Sequence, residues 1–309
     1  MEGKVIEYIN EHGDKKILRI MNKLGEGGYG VVHKALLDAF GEVAVKLQTK
    51  ISRSGVISSL LELKKAPELE KHSLALRKII VTPSLKETYP ILDIPEVSVT
   101  RSYVGDNQII FIYDLAVGME LYKVIETQVE SEVPFTFETI KRYASQLLKG
   151  VIEMRKAGVV HRDIKPENVM LHNGKLKYID YGMICEPVGE NKCQKRKGTL
   201  FFMSPKVYDA QHRDLTEKEW YDGDLYAVGI TIMNLCGEIP FENGEDPREV
   251  FEENDYAESY KIIQEMIKEI LFENNHTAFI DVVTGLTSID PITPEEALEM
   301  LKEVEDNRE

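Results

Sequence analysis

The hydrophobic pattern changes period along this chain, and each period predicts a different element. Between residues 17 and 47 short apolar runs alternate with turn residues, which predicts strands joined by hairpins. Ile109-Ile110-Phe111-Ile112 is an apolar run that reads as a further strand. From 136 to 156 the spacing turns helical, and Ile140, Ala144, Leu147, Leu148, Val151 and Met154 line one face. Such a stripe is core rather than a cofactor lining. Residues after Asp224 read as helices. The most apolar of these, from Leu225 to Cys236, is too short to span a bilayer. The last carries its own start signal: Thr293 as N-cap, Pro294 as first helical residue and Glu296 at the capping-box position. Strands followed by helices predict an α+β fold.

Composition narrows the picture. At 309 residues the chain exceeds the usual single core, so two lobes are expected. A hydrophobic share of 43% marks a globular chain, and no repeat or low-complexity tract interrupts it. Residues 1–16 are charged throughout, lack the apolar core of a signal peptide, and read as a short capping helix. Cysteine occurs only at 185, 193 and 236, which suits a reducing compartment and argues against a disulfide scaffold. Cys185 and Cys193 are accordingly expected as two unrelated thiols rather than a redox pair. Net charge is 38 − 53 = −15, and no basic face is visible, which speaks against a nucleic-acid partner. No membrane partner is expected either. The stretch 238–273 holds twelve acidic residues against Arg248, Lys261 and Lys268. It is either a solvated face or an attractor for a basic substrate.

The chemistry concentrates in four segments. His161-Arg162-Asp163-Ile164-Lys165-Pro166-Glu167-Asn168-Val169 sets a carboxylate ahead of a carboxamide with a lysine between them. Phosphoryl transfer needs an orienter or base for the attacking hydroxyl, a cation on the γ-phosphate and an oxygen ligand for Mg²⁺, and this string offers all three. Leu24-Gly25-Glu26-Gly27-Gly28-Tyr29-Gly30-Val31-Val32 lies between strand-like flanks and reads as a hairpin, whereas a dinucleotide loop would join a strand to a helix. Val43-Ala44-Val45-Lys46 places a lysine on a short apolar strand. Tyr178-Ile179-Asp180-Tyr181-Gly182 follows a short apolar run and the turn His172-Asn173-Gly174.

In this order the segments resemble the eukaryotic-type protein kinase superfamily, serine/threonine type. Gly198-Thr199-Leu200-Phe201-Phe202-Met203-Ser204-Pro205-Lys206 is similar to its substrate-docking loop. Asp224-Leu225-Tyr226-Ala227-Val228-Gly229 resembles the start of its central buried helix, and Gly237-Glu238-Ile239-Pro240-Phe241 that helix's exit. The resemblance implies a two-lobed protein kinase fold, with a small β-rich N-lobe and a larger, mainly helical C-lobe. Its divisions would be an extension at 1–16, an N-lobe at 17–115 with an insertion at about 84–107, and a C-lobe at 116–309.

It also implies roles and cofactors, ATP and Mg²⁺. Leu24, Gly25, Glu26, Gly27, Gly28, Tyr29 and Gly30 would cover the ATP phosphates, and Val32, Ala44 and Met170 would enclose the adenine. Tyr113 would stand behind the base as gatekeeper, with Asp114 C=O and Ala116 N–H on its edge. Lys46 would hold the α- and β-phosphates, paired with Glu62; Glu68 and Glu70 are rivals for that pairing. Asp163 would act on the acceptor hydroxyl and Lys165 on the γ-phosphate, while Asn168 and Asp180 would bind metal. Thr199 and Glu167 would meet the substrate, and Glu120 either the ATP ribose or a basic substrate residue. The implied partner is a protein with a serine or threonine acceptor, probed by an intracellular enzyme, cytoplasmic or nuclear.

Four departures from the family pattern stand out. The insertion at about 84–107 reads as a surface loop, passive or a partner site. Lys206 replaces a glutamate, and Pro294 the arginine that would pair with it. Residues 183–198 contain no Ser, Thr or Tyr, although Arg162 precedes Asp163 where many relatives have an arginine that receives an activation-segment phosphate. Glu186 or Glu190 could supply fixed charge for Arg162. The alternatives in other classes are a pseudokinase that binds nucleotide and a partner without transfer, and a small-molecule kinase, which would lack the docking loop.

Overall fold

Period-two alternation in the first part of the chain closes into a barrel. Its strands are β1 (Val5–Ile9), β2 (Lys15–Gly27), β3 (Gly30–Leu37), β4 (Gly41–Gln48), β5 (Leu76–Val81), β6 (Val97–Thr100) and β7 (Ile109–Asp114), hydrogen-bonded in the order β1-β2-β3-β4-β7-β5-β6 and back to β1. The computed structural model describes all residues except 1, 28–29, 50, 103, 106, 190–191, 195, 212, 238–246, 274–275 and 305–309. The chain forms two units, Met1–Val117 and Gly118–Glu309.

Alternate side chains of the first unit fill the barrel: Ile6, Leu18, Ile20, Ala35, Val43, Val45, Ile80, Ile110 and Ile112 are all buried in one cluster. Two expectations are corrected here. Residues 5–9 are a strand, not a capping helix, because Ile6 and Tyr8 alternate inward while Val5 and Ile9 do not. The insertion is not a surface loop. It supplies α2 (Pro83–Thr88) and β6, and β6 pairs parallel to β5 and antiparallel to β1, closing the barrel. Leu85, Leu92 and Val97 from this segment sit in a second core cluster with Ile79, Val81, Ile109 and Phe111.

Helix α1 (Arg53–Leu69) joins that second cluster through Val56. Ser52 caps it by accepting the Gly55 N–H. The helix continues through Pro67. Pro67 lies in the last turn, so the ring removes one terminal hydrogen bond rather than splitting a long ladder.

The second unit is helical apart from a small sheet of β8 (Gly118–Glu120), β9 (Val169–His172) and β10 (Lys175–Tyr178), ordered β10-β9-β8. Its helices are α3 (Leu121–Glu130), α4 (Phe137–Lys156), α5 (Pro205–Tyr208), α6 (Glu217–Leu235), α7 (Pro247–Glu253), α8 (Tyr256–Glu273), α9 (Ile280–Leu286) and α10 (Pro294–Glu303). The stripe foreseen on α4 is buried, and Thr136 is its N-cap. Helix α6 packs on α4 and α9 and is buried almost all round, as a central helix must be. It begins at Glu217, two turns before the expected start near Asp224, because Thr216 and Glu219 form a capping box. Of the exit segment at 237–241, residues 238–241 lie outside the described residues. Among the described residues no helix is long and apolar enough to cross a membrane.

Candidate active site

In the first unit the strand register places the candidate residues on one face. Val32 pairs with Lys46, Lys46 with Phe111 and Ala44 with Tyr113, and directly paired residues project to the same side of a sheet. Phe111 packs in the cluster that includes Val56 of α1. Glu62, on the same helix, is only 5% exposed and accepts a 2.9 Å hydrogen bond from the Tyr113 hydroxyl. The two rivals are engaged elsewhere: Glu68 with Lys65, and Glu70 with Arg77. Burial of a carboxylate costs several kcal/mol unless it is hydrogen-bonded, which makes the Tyr113 contact a condition of the site.

The glycine-rich segment is a true hairpin, with Gly27 paired to Gly30 at its closing end. Leu24, Gly25 and Glu26 lie on the β2 arm; Gly28 and Tyr29 lie outside the described residues. Gly30 has φ +151°, and a Cβ there would stand 2.2 Å from the Leu47 carbonyl oxygen, so no side chain fits. At the other end of the sheet the Arg77 guanidinium grips the Asp114 carboxylate with both arms, Nε–Oδ1 2.8 Å and Nη2–Oδ2 2.6 Å. Asp114 N–H donates to Ala75 C=O at 3.1 Å. Sequence reasoning chose Asp114 and Ala116 for their backbone groups and missed Arg77, which fixes the segment they belong to.

In the second unit the chain from α4 delivers His161. Asp224, buried on α6, accepts the N–H groups of His161 (2.7 Å) and Arg162 (2.9 Å). Hydrogen bonds to a charged group are worth about 1.5–3 kcal/mol each. They hold Arg162 in a left-handed conformation, φ +67°, which non-glycine residues seldom adopt. Burial pushes the Asp224 carboxyl up, against the pull of His161 and Arg162. His161 Nε2 lies 3.1 Å from the Ile179 carbonyl, and Ile179 N–H donates to Asn168 C=O, tying the Asp180 segment to the Asp163 loop. Tyr181 is buried 4.7 Å from the His161 ring, centroid to centroid. Asp180 itself has φ +57° and accepts the Gly182 N–H.

Three candidate residues converge on Asp163. Asn168 Nδ2 donates to its carbonyl oxygen (2.7 Å) and to Oδ2 (2.8 Å). Thr199 donates both its N–H (2.9 Å) and its hydroxyl (2.8 Å) to Oδ1. Lys165 Nζ donates to the Thr199 hydroxyl at 2.7 Å and stands 3.8 Å from Asp163 Oδ2. Gly198 makes this approach possible: at φ +122°, a Cβ would lie 2.3 Å from the Arg162 carbonyl oxygen. Nearby, Glu120 opens α3 and pairs with Met170 across β8 and β9, and Glu167 follows Pro166. Partial burial first, and the Glu167 carboxylate second, raise the Glu120 carboxyl above its ordinary value, with Lys123 opposing. The exposed face of Glu120 moderates the effect.

Lys206, in place of a glutamate, donates through Nζ to the Ile289 carbonyl at 2.6 Å, so the docking loop is anchored to the segment before α10 without an ion pair. Pro294 stands at the first helical position of α10 with Thr293 capping. One expectation is overturned: Cys185 and Cys193 are joined in a disulfide, while Cys236 is buried outside it. A spacing of eight residues does not by itself indicate a pair; the fold of the segment brings the two Cα atoms to 5.2 Å. Arg162 donates Nε to Met183 C=O at 2.6 Å and Nη1 to Gln194 C=O at 3.5 Å. Glu190, one candidate for its counter-charge, lies outside the described residues. The Glu186 carboxylate lies 3.0 Å from where a Cβ on Gly189 would stand, over its own turn.

Known proteins share this arrangement of segments. A family model described as protein kinase domain matches residues 18–303. Ribosomal protein S6 kinase alpha-1 of Homo sapiens is 26% identical over 246 residues, covering 78% of this chain and 29% of that protein. Ribosomal protein S6 kinase 2 beta of Xenopus laevis is 28% identical over 187 residues, covering 59% of this chain and 28% of that protein. Putative ribosomal protein S6 kinase alpha-1 of Caenorhabditis elegans is 24% identical over 240 residues, covering 77% and 27%. The chain spans less than a third of the length of these relatives.

Proposed function

The chain belongs to the protein kinase family, and on that premise we propose that it transfers the γ-phosphoryl group of ATP to serine or threonine of a protein substrate. The observation that carries this reading is the hydrogen-bonded set around Asp163. A group that must orient a hydroxyl for in-line attack needs a fixed direction. Asp163 has one oxygen held by Asn168 and the other by Thr199. Its remaining lone pairs would accept the substrate hydroxyl, orient it and take its proton. Lys165, 3.8 Å away, would carry the charge of the transferring phosphoryl group. On the first unit Lys46, with Glu62 as its counter-charge, would hold the α- and β-phosphates, with the hairpin backbone near Gly30 approaching them.

The donor set suits Mg²⁺. With its N–H groups directed to Asp163, Asn168 presents its amide oxygen, and Asp180 adds a carboxylate, both hard oxygen donors. Two oxygen donors leave most of an octahedral Mg²⁺ shell open, which phosphate oxygens and water would complete. When bound, Mg²⁺ would neutralise charge on the β- and γ-phosphates.

Glu120 and Glu167, with the acidic residues of 238–273, would favour substrates with Arg or Lys upstream of the acceptor. The relatives named as ribosomal protein S6 kinases support serine/threonine chemistry, and an ATP-consuming enzyme of this kind would work inside the cell, in cytoplasm or nucleus. A positional peptide library with Mg·ATP tests the reading. Transfer to Ser/Thr peptides with upstream Arg or Lys is expected, lost in Asp163→Asn with ATP affinity nearly intact. Nucleotide binding without transfer by the wild-type chain would refute it in favour of a pseudokinase, and acidic or proline-directed selection would refute the specificity.

A further inference from the structure

We propose that Cys185 and Cys193 are a redox modification site whose disulfide orders the activation segment in place of a phosphate. The inference rests on the kinase reading above. Three observations carry it. First, residues 183–198 contain no hydroxyl side chain to phosphorylate. Second, the disulfide closes the base of the turn at 186–192, and both ends of that turn are bound to the Asp163 loop. On the outgoing side, Cys185 and Val160 exchange both backbone hydrogen bonds (3.0 and 3.3 Å), and Val160 directly precedes His161. On the return side, Gln194 C=O receives Arg162 Nη1. Arg162 thus bridges the two segments that the disulfide joins, with Met183 on one and Gln194 on the other. Third, Cys193 lies six residues before Thr199, which gives two hydrogen bonds to Asp163 and one acceptor to Lys165.

Without the disulfide, contacts such as the Cys193 N–H to Glu186 C=O bond, worth about 1 kcal/mol, hold the two ends together. The cross-link removes loop entropy from the open segment and so favours the conformation in which Thr199 reaches Asp163. The basic side chains of this segment make unassisted closure harder: burial first, and the Arg162 charge second, pull the Lys197 amine down.

The chemistry balances with a low-molecular-weight disulfide, RSSR, as oxidant. One cysteine thiolate attacks a sulfur of RSSR and expels RS⁻, leaving a mixed disulfide. The second cysteine thiolate attacks the protein sulfur and expels the second RS⁻. Two electrons pass from the cysteine pair to RSSR, and the two thiol protons end on the two RS⁻. Both sulfurs are largely buried, so exchange proceeds through local opening of the turn, whose tip at Val188 is exposed.

The test equilibrates the full chain with glutathione redox couples of graded ratio. Intact-mass analysis after alkylation gives the fraction oxidised, kinetics give kcat/KM for a basic peptide, and limited trypsin digestion reports cleavage at Lys192, Arg196 and Lys197. Oxidised protein should be resistant in this segment. Reduction should lower kcat/KM on the order of tenfold to a hundredfold, the loop-closure scale for a short ring, and expose the trypsin sites in parallel. Reoxidation should restore both, which a merely unfolded protein would not do. Cys236→Ala should respond like wild type, and Cys185→Ser/Cys193→Ser should behave as permanently reduced. Unchanged kcat/KM and unchanged protection in fully reduced protein would overturn the proposal, as would failure of the pair to oxidise. No transfer in either state, with protection still lost on reduction, would overturn the kinase reading and with it the claim of a gate.

Discussion

Thr199→Val is the sharpest probe of the Asp163 cluster. Valine keeps the shape and the backbone N–H bond to Oδ1, and deletes only the hydroxyl. Two charge-assisted contacts go with it: the 2.8 Å bond to Asp163 and the 2.7 Å bond from Lys165. Each would be worth about 1.5–3 kcal/mol in a dry site. The side chains of Asp163 and Lys165 are 10% and 19% exposed, so water recovers part of the loss. A net loss of about 1.5–2 kcal/mol of positioning follows, and at 1.36 kcal/mol per decade that is about a 10–30-fold fall in kcat/KM. Thr199→Ser retains the hydroxyl and should fall less than about threefold. Initial rates with varied peptide at saturating Mg·ATP give the ratio, and a thermal melt checks that both variants fold. Wild-type kcat/KM in Thr199→Val, or equal damage in Thr199→Ser, would refute the role given to the hydroxyl.

Glu120 loses its charge earlier than an ordinary carboxylate as pH falls, because burial and Glu167 raise it; the preference for Arg over Ala upstream of the acceptor should therefore shrink below neutrality, and a flat preference across that range would count against it. Burial alone would raise the Glu219 carboxyl, but Arg213 and the Thr216 groups outweigh it and hold it at about 2. A depressed carboxylate stabilises the fold above its unfolded value and loses that contribution as pH falls toward 2, so Glu219→Gln should cost about 1–2 kcal/mol near neutrality, less in acid, by urea unfolding. Lys206→Met removes the bond to Ile289 C=O and should cost about 1–2 kcal/mol, lowering the thermal midpoint by a few degrees; an unchanged midpoint would mean the docking loop is anchored elsewhere.

What was legible in the sequence was whatever local chemistry dictates. The Asp163–Asn168 string carries its residue types in a fixed order, and the structure folds that order into contacts a few residues long. The α4 stripe and the Thr293 cap are likewise local signals. What was missed depends on partners far away in the chain. Strand β1 is short and charged around its apolar positions, and only its pairing with β2 and β6 makes it part of a barrel. Segment 84–107 looked like a loop for the same reason. Arg77 carries no motif; it matters because β5 and β7 lie side by side and bring it to Asp114.

The same distinction explains the departures from the family pattern. An ion pair across the large unit, Glu with Arg, needs two distant positions to be kept together. Here both are replaced, and Lys206 reaches a backbone carbonyl instead, a partner that no side-chain substitution at Ile289 can remove. The activation segment follows the same logic. A phosphate would hold Arg162 by charge, at the cost of a second enzyme to install it. In this chain Arg162 is held by two carbonyls on segments that a covalent bond already joins. Both devices set a basic side chain on backbone carbonyls, contacts that salt screens less than an exposed ion pair. The physical consequence is a docking loop whose order should depend weakly on ionic strength and strongly on the state of Cys185 and Cys193.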